Sequence, residues 1–227
     1  MGMLIGKNKT FLCNLRFVTA FFISFLLNQF LSAQDFEGKI FLISNSPYDT
    51  SYYTYTVKKQ YIKIDEFNKY KRLTKTLIIN TENNSIIALN SVKKLYTRIP
   101  IQESPVADEE QGFDVIKTTN YKTINGYKCN LWRVRNKGLN TDVSYWVAVE
   151  KFRFFDDLLK TLHTNEKYLS FFLKLPQLDG AMPMLTIERT LLRDEKNSMT
   201  VVEINKKKIH DSLFTIPSDF KQIDLKY

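Results

Sequence analysis

The stretch FRFFDDLLKTLHTNEKYLSFFLKL, residues 152–175, decides the fold because its hydrophobic spacing differs from that of the rest of the chain. Its large apolar residues recur at intervals of three and four, which is typical of an amphipathic helix. They are Phe155, Leu158, Leu159, Leu162, Leu169, Phe172 and Leu173. A break near Thr164 and Asn165 predicts two short helices, and the sequence PQLDGAMPM at 176–184 predicts where they end.

On both sides of this helical segment, apolar and polar residues alternate in the pattern of half-buried β-strands. The sequence RLTKTLIINTENNSIIALN (72–90) predicts two strands around a TENN turn, and RNKGLNT (135–141) predicts a hairpin with Gly138 in its loop. An acidic loop is predicted at 103–114, with strands resuming near Tyr121. The class is therefore mainly β (α+β), and we expect a curved antiparallel half-barrel with the helical insert covering its concave face.

The N-terminus has the order of a secretory signal. Lys7, Lys9 and Arg16 precede the apolar run FVTAFFISFLLNQFL (17–31), which is short for a membrane span. We expect cleavage after Ala33 and export to the periplasm or the outer-membrane periphery.

The remaining residues, 34–227, have the length of one domain. The whole sequence has a net charge of +9, but Lys and Arg are scattered, with KKK at 206–208 as the tightest run. For an exported protein this excludes nucleic acid as the expected partner. Peripheral contact with an anionic membrane is kept as a partner hypothesis, and a solvated surface is the alternative.

Cys129 is the one cysteine that remains after removal of the predicted signal, so an internal disulfide is excluded. Strand alternation puts Tyr127, Cys129 and Leu131 on one face, where a thiol behaves as a small hydrophobe and burial raises its pKa. We expect it to pack inside the sheet. A redox or intermolecular thiol, or a nucleophile activated by His163 or His210, is the alternative.

Other catalytic patterns are weak. His210, Asp211 and Ser212 are consecutive, and on an extended chain they point in alternate directions, so they are not expected to form a relay. Asp156 and Asp157 diverge around a helix and fit the acidic first turn that the helix dipole favours. The sequence predicts no metal site and no cofactor, and it favours a protein that is not an enzyme.

Four segments resemble a known family. They are TINGYKCNLW (123–132), SYWVAVE (144–150), GAMPML (180–185) and TVVEINKKKIHDSLFTIPSDFKQ (200–222). Their order (GYKC, W, GxMP, F-x-x-P) resembles a domain-of-unknown-function family of exported Bacteroidota-type proteins, which is similar in fold to the LolA-like lipoprotein carriers. The resemblance is best from Tyr121 to Gln222, and it implies an apolar cavity between sheet and helices and no catalytic residues.

These observations lead to two hypotheses. In the first, an envelope protein binds a hydrophobic ligand, such as a lipid or the acyl chains of a lipoprotein. Its predicted ligand-binding residues are Phe155, Leu158, Leu159, Leu162, Leu169, Phe172, Met182, Met184, Tyr127 and Leu131. In the alternative, the space is filled by the protein's own side chains, and the protein is a structural or interaction component with an envelope protein as partner.

Overall fold

The computed structural model describes residues 35–100, 112–162, 167–176 and 179–224. Within these ranges, twelve strands form one open, curved sheet. In chain order they are β1 Gly38–Asn45, β2 Thr50–Lys58, β3 Tyr61–Phe67, β4 Leu73–Asn80, β5 Ser85–Asn90, β6 Leu95–Ile99, β7 Phe113–Ile124, β8 Tyr127–Asn136, β9 Thr141–Val149, β10 Ala181–Arg189, β11 Glu195–Lys206 and β12 Lys221–Gln222. The predicted signal, most of the acidic loop and the predicted helix break lie outside the described residues.

The sheet consists of two antiparallel meanders. Its strand order is β12-β6-β5-β4-β3-β2-β1-β11-β10-β9-β8-β7, so β1–β6 form one meander and β7–β11 the other. The meanders are joined by the pairing of β1 with β11, in which Gly38 lies opposite Lys206. The short strand β12 pairs in parallel with β6. The prediction of a mainly β fold built on an open antiparallel sheet is confirmed.

The predicted turns fall where the sequence placed them, at residues 81–84 between β4 and β5 and at 137–140 between β8 and β9. The start of β7 differs from the prediction. This strand begins at Phe113 and not near Tyr121, because residues 113–117 already pair with β8 before the register shifts between Lys117 and Tyr121. The predicted acidic loop is therefore shorter at its C-terminal end.

The core lies on one face of the sheet. Alternate residues of the first meander are buried there, including Ile40, Leu42, Tyr55, Ile62 and Ile64. Their cross-strand registers, such as Ile40 with Tyr55 and Tyr55 with Ile64, place these side chains on the same face.

Two α-helices and a 3₁₀ helix follow β9: α1 is Arg153–Leu162, α2 is Lys167–Ser170, and the 3₁₀ helix is Phe171–Lys174. One side of α1 is buried against the core, and Lys160 forms an i,i+4 ion pair with Asp156 on the other side. Thr161 at the end of α1 donates a hydrogen bond from Oγ1 to Asn84 Oδ1 in the β4–β5 turn (3.2 Å). Lys167 Nζ of α2 donates to the carbonyl oxygen of Leu139 in the β8–β9 turn (3.4 Å). No helix among the described residues is both long and apolar enough to cross a membrane.

After β11 the chain runs along the other face of the first meander. We call residues 207–220 the C-terminal strap. Lys58 Nζ binds the carbonyl oxygen of Ile209 (2.8 Å) and the carboxylate of Asp211 (2.6 Å). The Phe214 ring packs on Tyr61 at 5.7 Å, and Tyr61 alternates with the core residue Ile62. The strap thus leads the chain to β12 at the β6 edge.

Candidate functional site

A chain of aromatic rings fills the space between the helical segment and the sheet. The Phe155 ring lies 5.4 Å from that of Phe172, which in turn lies 5.4 Å from Tyr145 of β9. At one end Phe171 meets Phe113 of β7 edge to face at 4.8 Å. These contacts connect the helical segment with both β7 and β9.

Most of the predicted ligand-binding residues lie in this core. Phe155, Leu158, Leu159, Leu169, Phe172, Met182 and Met184 are buried members of one hydrophobic cluster, and Leu162 is half-buried against it. Met182 and Met184 of β10 have 0% of their surface exposed. In this conformation, side chains of the protein itself surround these residues.

Tyr127 packs against this cluster, whereas Leu131 lies apart from it. Tyr127 is half-buried and meets Phe152 edge to face at 5.4 Å. Leu131 lies opposite Trp146 and alternates with the buried Trp132, so it occupies the other face of the sheet. Both faces of β8 contain large apolar residues, and the sequence pattern therefore did not show which of them meets the helices.

The Tyr145 hydroxyl is the group that sequence reasoning missed. It is fully buried and has no hydrogen-bond partner among the described residues. Burial raises the pKa of Tyr145 well above its usual range, and the charge of Glu188 raises it further. Its cross-strand neighbours are Trp132 and the buried Thr186, neither of which accepts a hydrogen bond from it. No sequence signal could have revealed it, because the missing partner is a property of the packed structure.

Cys129 packs inside the sheet, as expected. It is fully buried and lies in a cross-strand row with Ala148 and Met182, which are also fully buried. Burial raises the pKa of its thiol, which disfavours the thiolate. His163, one of the two candidate bases, lies outside the described residues.

The other candidate base, His210, lies in the exposed C-terminal strap. Its Nδ1 is 2.8 Å from Ser212 Oγ because the chain turns there into a short 3₁₀ helix, Asp211–Phe214, and is not extended as expected. Asp211 does not complete a relay, since it forms an ion pair with Lys58, and this bond lowers the pKa of the carboxyl. The arrangement is a helix cap and not a catalytic triad.

A cleft of about 530 Å³ borders the aromatic core between α1 and the segment leading to β10. Phe172 and Leu175 line it together with charged residues of α1. Arg153 at its rim donates to both carboxylate oxygens of Asp179, at 2.8 and 2.7 Å. Burial and the neighbouring Asp156 raise the pKa of Asp157, which also lines this cleft. The cleft combines an apolar floor with a charged rim, and Phe172 connects it with the core.

In the part of the chain that the structure describes, no three His, Cys, Asp or Glu side chains come together as metal ligands. The model of a family described as a domain of unknown function, DUF4412, matches residues 36–220. The chain belongs to the DUF4412 family. The comparison of this DUF4412 protein with curated proteins gave no match.

Several solved structures are similar to this DUF4412 protein. An uncharacterized conserved protein from Thermus thermophilus has a TM-score of 0.52 at 6% identity, over 89% of this chain and 99% of that one. A chain of the MucA/MucB complex of Pseudomonas aeruginosa has a TM-score of 0.48 at 6% identity, over 88% of this chain and 62% of that one. A LolA superfamily protein from Nitrosomonas europaea has a TM-score of 0.34 at 10% identity, over 82% and 91%. The chain thus spans less than two thirds of the matched chain of the MucA/MucB complex, and the likeness to the Thermus protein concerns the fold alone.

Proposed function

We propose that this DUF4412 protein is a non-catalytic binding protein of the bacterial envelope that holds a lipid or the acyl chains of a lipoprotein between its helical segment and its sheet. Residues 1–33 would be the export signal and 34–227 the working domain, in the periplasm or at the outer-membrane periphery. The helical segment would act as the movable wall of a half-barrel, and no cofactor is required.

The observation that supports this proposal most directly is the Tyr145 hydroxyl. A buried hydroxyl without an acceptor costs about 1–3 kcal/mol. An ester or carboxyl oxygen at the polar end of an acyl ligand would accept this hydrogen bond, while the rings of Phe172 and Phe155 would contact the chain. Each methylene buried there would contribute about 0.8 kcal/mol.

The attachment of the helical segment is consistent with opening. The 3₁₀ helix has four residues, too short to be stable without tertiary contacts. The polar contacts of the helical segment with the rest of the described chain include one hydrogen bond between Thr161 and Asn84, the long hydrogen bonds of Lys167 and the exposed Arg153–Asp179 ion pair. Ligand entry would exchange contacts of Phe172 with the core for contacts with the ligand.

Native mass spectrometry of protein purified from its own envelope, with solvent extraction of bound lipid, tests the proposal. We expect adducts of lipid mass and displacement of a bound naphthylamine probe by palmitate. Phe172→Ala should change probe affinity, while Leu131→Ala, on the other face, should leave it unchanged. An adduct-free mass together with no probe binding would refute the proposal.

A second candidate function is supported by the burial of the predicted site. Phe155, Leu158 and Leu159 are almost completely buried in ring and side-chain contacts, as in a core filled by the protein itself. In this case the protein would be a structural or interaction component of the envelope. Crosslinking in cells followed by purification would then return one stable protein partner and no lipid.

A further inference from the structure

A basic groove of about 490 Å³ lies on the second meander, on the face opposite the core. Its lining contains five cationic side chains and one carboxylate, Asp142. Arg133 and Arg135 point to this face because they alternate with the buried Trp132 and Val134 of β8. The groove is therefore separate from the proposed apolar site.

Asp142 holds two of the arginines in place. Arg133 donates from Nε to Oδ1 at 3.2 Å and from Nη2 to Oδ2, and Arg135 donates from Nε and Nη2 to Oδ2 at 3.2 and 3.1 Å. The Asp142 side chain is only 9% exposed, whereas those of the two arginines are 34% and 33% exposed. One buried carboxylate thus fixes two guanidinium groups that line the groove, and guanidinium groups bind phosphate oxygens well.

Apolar residues border this positive charge. At the β10–β11 turn, Arg193 follows Leu191 and Leu192, and the Leu192 side chain is 84% exposed. On the same face of β9, Lys122 Nζ lies 4.3 Å from the centre of the half-buried Trp146 ring. A cationic groove next to an exposed leucine is typical of surfaces that meet the headgroup region of a bilayer.

From this combination we infer that the basic groove is a docking surface for an anionic membrane, and that its arginines bind the phosphates of lipid headgroups while Leu192 enters the interface. Charge complementarity decides the occupant, because the five cationic side chains of the groove outnumber the two carboxylates that pair with them, Asp142 and Glu195. The exposed leucine favours a bilayer over a soluble acidic peptide. This inference does not require an acyl ligand in the core.

The test is co-sedimentation of the full chain with vesicles of phosphatidylcholine, with and without phosphatidylglycerol. Binding is expected only with phosphatidylglycerol, and weaker binding at about 0.15 M salt than at low salt. Lys137→Gln with Arg193→Gln, two lining residues of the groove, should lower the partition coefficient about 30-fold, since each cationic residue near an anionic surface contributes about one kcal/mol. Leu192→Ser should lower the binding that persists at high salt.

Lys207→Gln with Lys208→Gln is the matched control, because it removes the same charge from exposed residues outside the groove. An equal loss of vesicle binding in both double variants would overturn the inference, because it would indicate a general effect of net charge. Absence of vesicle binding would overturn it as well, including a result in which only inorganic phosphate or a soluble acidic peptide binds. Equal melting temperatures of all variants show that folding is intact, and lipid adducts in native mass spectra report separately on the acyl site.

Discussion

The Phe172 ring covers Tyr145 edge to face at 5.4 Å, while the Tyr145 hydroxyl has no hydrogen-bond partner among the described residues. Phe172 belongs to the helical segment and Tyr145 to the sheet, so this contact lies where the proposed opening would occur.

Tyr145→Phe should separate the structural effect of this hydroxyl from its effect on ligand binding. Removing an unpaired buried hydroxyl should leave stability unchanged or raise it by about 1 kcal/mol, and it should weaken palmitate binding about fivefold. Probe displacement and urea unfolding measure the two effects. Tyr61→Phe, a tyrosine of β3 that contacts the C-terminal strap on the other face, is the control and should not alter affinity. If Tyr145→Phe leaves the palmitate affinity unchanged, the hydroxyl does not contact the ligand, but the apolar site is not contradicted.

Stability should fall in alkaline solution. Burial raises the pKa of both Tyr55 and Tyr145 above the ordinary value near 10. Above pH 10 these hydroxyls therefore ionise in the unfolded state but stay protonated in the folded state. The contribution to stability is complete below about pH 10 and is lost as the pH rises from there towards the folded-state pKa. Urea unfolding at stepped pH should show this decline, and the Tyr55→Phe/Tyr145→Phe double variant should show a shallower one. An identical slope in the double variant would contradict the prediction.

Gly180→Ala should strongly destabilise the fold. Gly180 has φ +70°, a Cβ there would lie 1.7 Å from the carbonyl oxygen of Glu150, and its own carbonyl accepts hydrogen bonds from the backbone N–H groups of Glu150 and Phe152. We expect a loss of about 3 kcal/mol or more in the free energy of unfolding. Gly126→Ala is the control, because Gly126 has φ +80° but nothing within 4 Å of a Cβ, and it should cost only about 1 kcal/mol. Similar losses of unfolding free energy in the two variants would contradict this prediction, because they would mean that the contact of the new Cβ with the Glu150 carbonyl oxygen is relieved.

Asp142→Asn should destabilise the second meander. The substitution leaves the guanidinium groups of Arg133 and Arg135 without their shared carboxylate, and we expect a loss of about 2 kcal/mol in the free energy of unfolding. Asp156→Asn removes a more exposed ion pair with Lys160 and should change stability by less than about 1 kcal/mol. Denaturant unfolding compares the two, and equal effects would show that burial of Asp142 is unimportant.

The sequence was sufficient to predict the mainly β class, the turns at 81–84 and 137–140 and the position of the helical segment. Local periodicity and turn residues determine these features. The pairing of β1 with β11 joins residues far apart in the chain. The alternation of apolar and polar residues predicts a strand, but it does not predict which distant strand pairs with it. The early start of β7 was missed because the polar and acidic residues before it read as a loop.

Of the candidate site, the sequence identified mostly residues that become buried, but it did not show which face of the sheet each one occupies. Leu131 and Trp132 are neighbours on β8, both large and apolar, and only the packed structure shows that Trp132 meets the core. The Tyr145 hydroxyl, the basic groove and the contact of His210 with Ser212 each depend on three-dimensional neighbours. Whether the predicted residues bind a ligand stays a prediction.

The junction of the two meanders has a consequence for synthesis. Since β1 is the first described strand and β11 the eleventh, a nascent chain can form each meander from near neighbours but cannot connect them until residue 206 is available. Such late, long-range closure slows folding. A chain truncated before β11 would thus hold two unjoined halves, each with an open edge prone to intermolecular pairing.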